Sequence, residues 1–179
     1  MQTIPSQLGF ASLQSRSGRQ TLATLTLLLI TVSAQAACPS EPTISRFSFN
    51  SSGSEVHDLQ TGLTWQRCSA GQAWDNANNI CTGTASTMNH QAALSYAKDQ
   101  TDWRLPSIRE LHSLADIGCL SPAIDTQAFP NMPPSQVYWS ATPAAANAAS
   151  AWSVYFLNGN ANNGSRNNSF AVRLVRVNQ

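Results

Sequence analysis

Thirteen residues, Asp102-Trp103-Arg104-Leu105-Pro106-Ser107-Ile108-Arg109-Glu110-Leu111-His112-Ser113-Leu114, constrain this chain more than any other stretch. Pro106 disfavours helical geometry at Leu105, so Trp103, Arg104 and Leu105 enter extended, with Trp103 and Leu105 on one side and Arg104 on the other. Ser107 and Glu110 stand at capping-box spacing, each side chain able to satisfy a backbone N–H at a helix N-terminus. Ile108, Leu111, Leu114 and Ala115 follow at helical spacing, and Gly118 ends the helix. The run predicts a scaffold hinge. Asp102, Arg104 and Glu110 are expected to form an internal polar network, with Arg104 largely buried and paired to a carboxylate or to backbone carbonyls. Trp103, Arg104 and Glu110 are thus structural residues, and Trp65 joins them as a core anchor.

The first residues belong to a different kind of segment. Arg16 and Arg19 precede an uncharged apolar run from Leu22 to Val32, and Ala34-Gln35-Ala36 then supplies the small-x-small pattern that signal peptidase cuts after. Residues 1–36 are read as a signal peptide, since the apolar run is short for a bilayer span. Its removal predicts a periplasmic, secreted or cell-surface protein with no membrane span. Arg16 and Arg19 leave with it, and the formal net charge changes from +1 to −1. A nearly neutral chain has no electrostatic reason to seek nucleic acid. What remains suffices for one domain.

Cys38, Cys68, Cys81 and Cys119 all follow the proposed cleavage point, and an even count in an exported chain predicts disulfides. Three pairings are open. The turn-rich stretch between Cys68 and Cys81 makes that pair the expected one, which leaves Cys38 with Cys119. His57, His90 and His112 are scattered singly, away from any cysteine cluster, so no metal site is expected.

Phe47 and Phe49 alternate as a short strand, and Val56 to Arg67, turning at Gln60-Thr61-Gly62, reads as a hairpin with Leu63, Trp65 and Arg67 on one side. Asn89 to Asp99 reads as a helix with Ala93, Tyr96 and Ala97 on one side and a solvated His90 in its first turn. Four prolines between Leu120 and Pro134 make that crossing irregular. Val137–Thr142 and Ala151–Leu157 read as strands, the second apolar on both faces, as a central covered strand would be. A loop from Asn158 to Asn168 leads to a last alternating strand from Phe170 to Val177. The order is an α+β pattern with helices on one side of an antiparallel sheet.

The runs Asp58-Leu59-Gln60-Thr61-Gly62-Leu63-Thr64-Trp65-Gln66, Asp102 to Leu111, Tyr138-Trp139-Ser140-Ala141-Thr142, Ala151-Trp152-Ser153-Val154 and Val172-Arg173-Leu174-Val175-Arg176 resemble the Lcl C-terminal domain family. The resemblance divides the chain into the signal peptide, an N-terminal segment over 37–55 and an Lcl C-terminal-like domain over 56–179. It implies a C-type-lectin-like α+β fold, an antiparallel sheet with two short helices and long loops, stapled by disulfides, in which the first and last strands pair. A more distant similarity, at Arg104-Leu105-Pro106, is to formylglycine-generating enzymes. Those hold copper with a close cysteine pair late in the chain, and here no cysteine follows Cys119. The calcium motifs of sugar-binding C-type lectins are also missing, because serine follows Trp139 and Trp152.

An exported binding or adhesion-type module, recognising a glycan or an envelope protein, is the expected function, and a structural subunit of a surface or pilus assembly is the alternative. The expected contact residues are Tyr155, Asn160, Asn163, Arg166 and Asn167, because amides pair donors and acceptors with sugar hydroxyls and an arginine pairs with sulfate or carboxylate. Asp58, Asp102, Glu110, Asp116, Asp125 and His57 show no nucleophile–base–orienter spacing, so no catalytic residue, enzyme activity or cofactor is expected.

Overall fold

Trp65 is fully buried and sits at the centre of a four-stranded antiparallel sheet in the computed structural model, which describes residues 46–133 and 135–177. The sheet is built from β1 (Phe47–Phe49), β2 (Glu55–Asp58), β3 (Leu63–Gln66) and a late strand, Val175–Val177. The expected hairpin is β2 and β3, with Val56 opposite Trp65 and Asp58 opposite Leu63. Gly62 at φ +71° closes its turn in a backbone region that side chains disfavour. Arg46 holds the buried Asp58 with two hydrogen bonds of 2.9 and 2.6 Å, pinning the sheet edge. Burial pushes the Asp58 carboxyl up, but Arg46, Thr61 and the Gln60 N–H outweigh it and hold the group below its ordinary value.

The loop after β3 carries the expected Cys68–Cys81 disulfide, which closes a small hairpin of β4 (Ala73–Asp75) and β5 (Ile80–Thr82). Cys119 is disulfide-bonded as well, and its expected partner Cys38 lies outside the described residues. The proposed signal peptide lies outside them too.

After β6 (Thr87–Met88) comes α1 (His90–Lys98), capped by Asn89, whose side chain accepts from the Ala92 N–H. Then α2 (Ile108–His112) begins at Ser107 with both halves of the capping box in place. It is shorter than its apolar spacing predicts. Ser113 already caps it, and Leu114 and Ala115 continue as tight turns bonded to Leu111 and His112.

β7 (Val137–Pro143), β8 (Ser150–Tyr155), β9 (Asn160–Ser165) and β10 (Phe170–Ala171) join β6 in a second, five-stranded sheet, in the order β6-β10-β7-β8-β9. Its pairs are antiparallel except β10 with β7. β8 lies inside the sheet, with Ala151 in one apolar cluster and Val154 in the other, so both faces are covered as expected.

Several expectations need correction. Tyr138 and Trp139 are neighbours on β7 and so point to opposite faces. Leu111 packs in the cluster with Tyr138, whereas Ala93 and Ala97 pack in the cluster with Trp139. The two helices therefore cover opposite faces of the five-stranded sheet instead of sharing one side. The last alternating run is two strands in two sheets: β10 belongs to the second sheet and β11 (Val175–Val177) to the first. The crossing between them buries Arg173, 1% exposed, whose guanidinium donates to the carbonyls of Gln66 and Arg67 and to Ser69 Oγ. The first and last strands share a sheet but do not pair, since β11 lies against β3, with Val175 opposite Trp65. Finally, His90 is buried, not solvated: its Nε2 donates to the Ser140 carbonyl at 3.0 Å and its ring meets Trp139 edge-on.

The hinge ties the two sheets together. Arg104 exchanges both backbone hydrogen bonds with Val175 of β11, and two residues on, the Pro106 carbonyl accepts from Ala141 of β7. The Ile108 N–H donates to Thr142 Oγ1. The scaffold reading stands, but Arg104 itself is corrected. Its guanidinium pairs with both oxygens of Glu110, at 2.8 and 2.6 Å, on the surface, with the side chain 44% exposed. The pairing with a carboxylate is the expected one, but the burial is not found, because the expected alternation turns Leu105 inward and leaves Arg104 outward. Asp102 takes no part in the pair and stands exposed at φ +65°, in the turn after α1.

Candidate functional site

The amide-rich segment proposed from sequence is a strand, and the strand divides it. Asn160 pairs with Tyr155, and Asn163 with Trp152, across β8 and β9, so alternation sends Asn160 and Asn163 to opposite faces. Arg166 is committed to the fold: its Nε donates to the Ser150 carbonyl, its N–H to the Ala149 carbonyl, and its own carbonyl accepts from His90. Asn167 is exposed in the turn that follows and bonds Ser165 Oγ through its N–H. Of the expected contact residues, the structure brings Tyr155 and Asn160 side by side and leaves the others apart.

A concave site forms elsewhere, where the first sheet, the disulfide hairpin, α1 and the hinge meet. Glu55 and Gln66 are opposed on β2 and β3. Trp74 comes from β4, Tyr96 from α1, where it is half-buried beside Ala93 and Ala97, and Trp103 from the hinge, and together they line a cleft of about 250 Å³. Ser69 and Gln72 close its remaining side, with Gln72 Oε1 accepting from the Ser69 N–H at 3.1 Å.

Each wall is held from behind. The Arg67 guanidinium stacks 4.1 Å from the Trp74 ring centroid, and Arg176 lies 4.9 Å from that of Trp103. Arg67 is in turn fixed by the carbonyls of Ala128, Gly53 and Gln127. Burial pushes its guanidinium down from the ordinary value, and Asp125 partly restores it. Arg176 pairs with Glu55 at 2.6 Å, which leaves the second Glu55 oxygen for other contacts. Trp74 Nε1 donates to the Ser52 carbonyl, and Gly53, at φ +72°, lets that indole come so near that a Cβ there would stand 3.1 Å from it.

The cleft therefore combines aromatic surface with hydrogen-bonding groups. Gln66, Tyr96 and Trp103 are among the residues that line it, and their side chains carry an amide, a hydroxyl and an indole N–H. None of these three was singled out from sequence as a binding residue. Trp74 had a sequence signal, because a tryptophan inside a disulfide-closed, asparagine-rich loop has little apolar company. Tyr96 had none, since its helical spacing matches the buried Ala93 and Ala97.

Among the described residues, no group of His, Cys, Asp and Glu is placed to hold a metal ion, and no helix is long and apolar enough to cross a membrane. The family model of the Lcl C-terminal domain matches residues 54–176. No curated protein matches the chain.

Proposed function

Because the chain belongs to the Lcl C-terminal domain family, we propose that it is an exported, non-enzymatic binding module of the bacterial envelope, and that its ligand is a glycan held in the cleft between Trp74, Tyr96 and Trp103. The observation that carries this reading is the convergence of three aromatic side chains from three separate elements on a pocket that also presents an amide, a hydroxyl and a carboxylate oxygen. Sugars offer apolar C–H faces and a rim of hydroxyls, and such a pocket meets both. Export is supported by the Cys68–Cys81 disulfide and the bonded state of Cys119, which belong in an oxidising compartment, together with the leader-like residues 1–36. A C-type-lectin-like relation is supported by two short helices beside antiparallel sheets, with early and late strands in one sheet.

A glycan array probed with the wild-type protein and with Tyr96→Ala tests the function. Binding to a defined set of glycans, weakened in the variant while its circular dichroism is unchanged, is expected. A folded protein that binds nothing on the array removes the glycan reading.

One observation favours the subunit alternative. Ile117 and Leu120 flank the bonded Cys119 and are 84% and 67% exposed, an apolar tip suited to a protein partner. Affinity capture from the native envelope that returns a stoichiometric partner, lost in Ile117→Ser/Leu120→Ser, supports that reading.

A further inference from the structure

A second concavity of about 400 Å³ adjoins the first, bordered by Phe49, Asn50, Arg67, Asn76, Asn79 and Gln127. The two are separated by one indole and one turn. Ser54 borders the first and Gly53 the second, and the Trp74 ring between them packs on Gly53 with Arg67 behind it. Phe49 is half exposed and forms a flat platform, braced by the Arg67 guanidinium 4.4 Å from its centroid. The polar border is made of amides. Asn50 Oδ1 is used by the Glu55 N–H, while the side chains of Asn76, Asn79 and Gln127 are exposed. Arg67 is the charged member of the border, and its three donor nitrogens are committed to backbone carbonyls.

From this adjacency we propose that the two clefts are consecutive subsites for one glycan chain that crosses the Trp74–Gly53 ridge, and that the chain is an uncharged, N-acetylated amino sugar polymer. The proposal rests on the glycan reading of the first cleft. An acetamido group is itself an amide, with one donor and one acceptor, and matches a border of Asn and Gln better than a sulfate or carboxylate would. A polyanion would need free guanidinium or ammonium donors, and those of Arg67 are spent on the fold, while Arg173 is buried and Arg176 is answered by Glu55. A flat ring on each side of the ridge suits successive sugar faces.

The probes are the dimer and the hexamer of β-1,4-linked N-acetylglucosamine, titrated calorimetrically into the wild type, Asn76→Ala/Gln127→Ala and Tyr96→Ala. The wild type is expected to bind the hexamer about tenfold more tightly than the dimer, a gain of the size one or two hydrogen bonds and a stacking contact provide. That ratio should fall to near one in Asn76→Ala/Gln127→Ala, whereas Tyr96→Ala should weaken both ligands. A wild-type ratio near one, or a ratio untouched by the double variant, overturns the second subsite and leaves the first cleft standing. No titration with either sugar, alongside binding of another glycan class on the array, overturns the ligand class alone. Failure on both counts overturns the glycan function as well.

Discussion

Arg173 lies buried between the two sheets, and among the described residues its hydrogen bonds go to carbonyls and a hydroxyl, not to a carboxylate. Its guanidinium also faces the rings of Phe129 and Tyr138, at 4.6 and 5.6 Å from their centroids. Burial pushes it down from the ordinary arginine value, and Tyr138 acts in the opposite direction. Arg173→Met leaves the Gln66 and Arg67 carbonyls without that donor. It is expected to cost about 3 kcal/mol, read as a lower urea midpoint at unchanged slope. Glu110 sets a pH dependence. Its hydrogen bonds from Arg104 and from Ser107 lower its carboxyl from 4.5 to about 2, against an upward push from burial. A folded value below the unfolded one means that the stabilisation is complete above pH 4.5 and is lost as pH falls through about 2. Urea midpoints measured from pH 7 to pH 2.5 should decline below that upper value, and Glu110→Gln should remove part of the decline. The share is modest because Arg104 is partly exposed and solvent screens the pair.

The hinge and the disulfide hairpin are the elements whose local chemistry decides most. Ser107 accepts from the Glu110 N–H and Glu110 accepts from the Ser107 N–H, so Ser107→Ala removes one side of a reciprocal cap. About 1 kcal/mol of stability should go with it, measurable by thermal or urea unfolding. Cys68→Ser/Cys81→Ser opens a loop with a sequence separation of 13 and should cost about 3 kcal/mol. It should also release Trp74, seen as a red shift in tryptophan emission, because β4 carries one wall of the cleft. Both elements were legible in the sequence for a physical reason: capping spacing, the Pro106 stop and cysteine parity act over a few residues. The break between β10 and β11 was not legible. Phe170 to Val177 holds no proline or glycine that would mark a stop, and only the long-range bonds of Arg173 reveal that the chain changes sheets there. The same limit hid His90, whose burial depends on Ser140, fifty positions away along the chain. It also hid β9 within the expected Asn158–Asn168 loop, whose two ends remain turns, since asparagine and glycine favour turns until a neighbouring strand supplies pairing.

At the scale of the molecule, two sheets face a shared core and are clipped together twice, once by the Arg104–Val175 bridge and once by the buried crossing at Arg173. The cleft forms beside these clips, which explains why it draws Glu55, Gln66, Trp74, Tyr96 and Trp103 from five places along the chain. No local pattern links those residues, so the scaffold is legible in the sequence while the cleft arises only once the fold brings them together. The most direct test of binding in the cleft is a two-dimensional NMR titration of the protein with the tightest glycan from the array. Shift changes are expected to concentrate on the indole N–H signals of Trp74 and Trp103 and on the backbone of Gln66 and Tyr96. Changes confined to Asn160–Asn167, with the cleft signals unmoved, would contradict it.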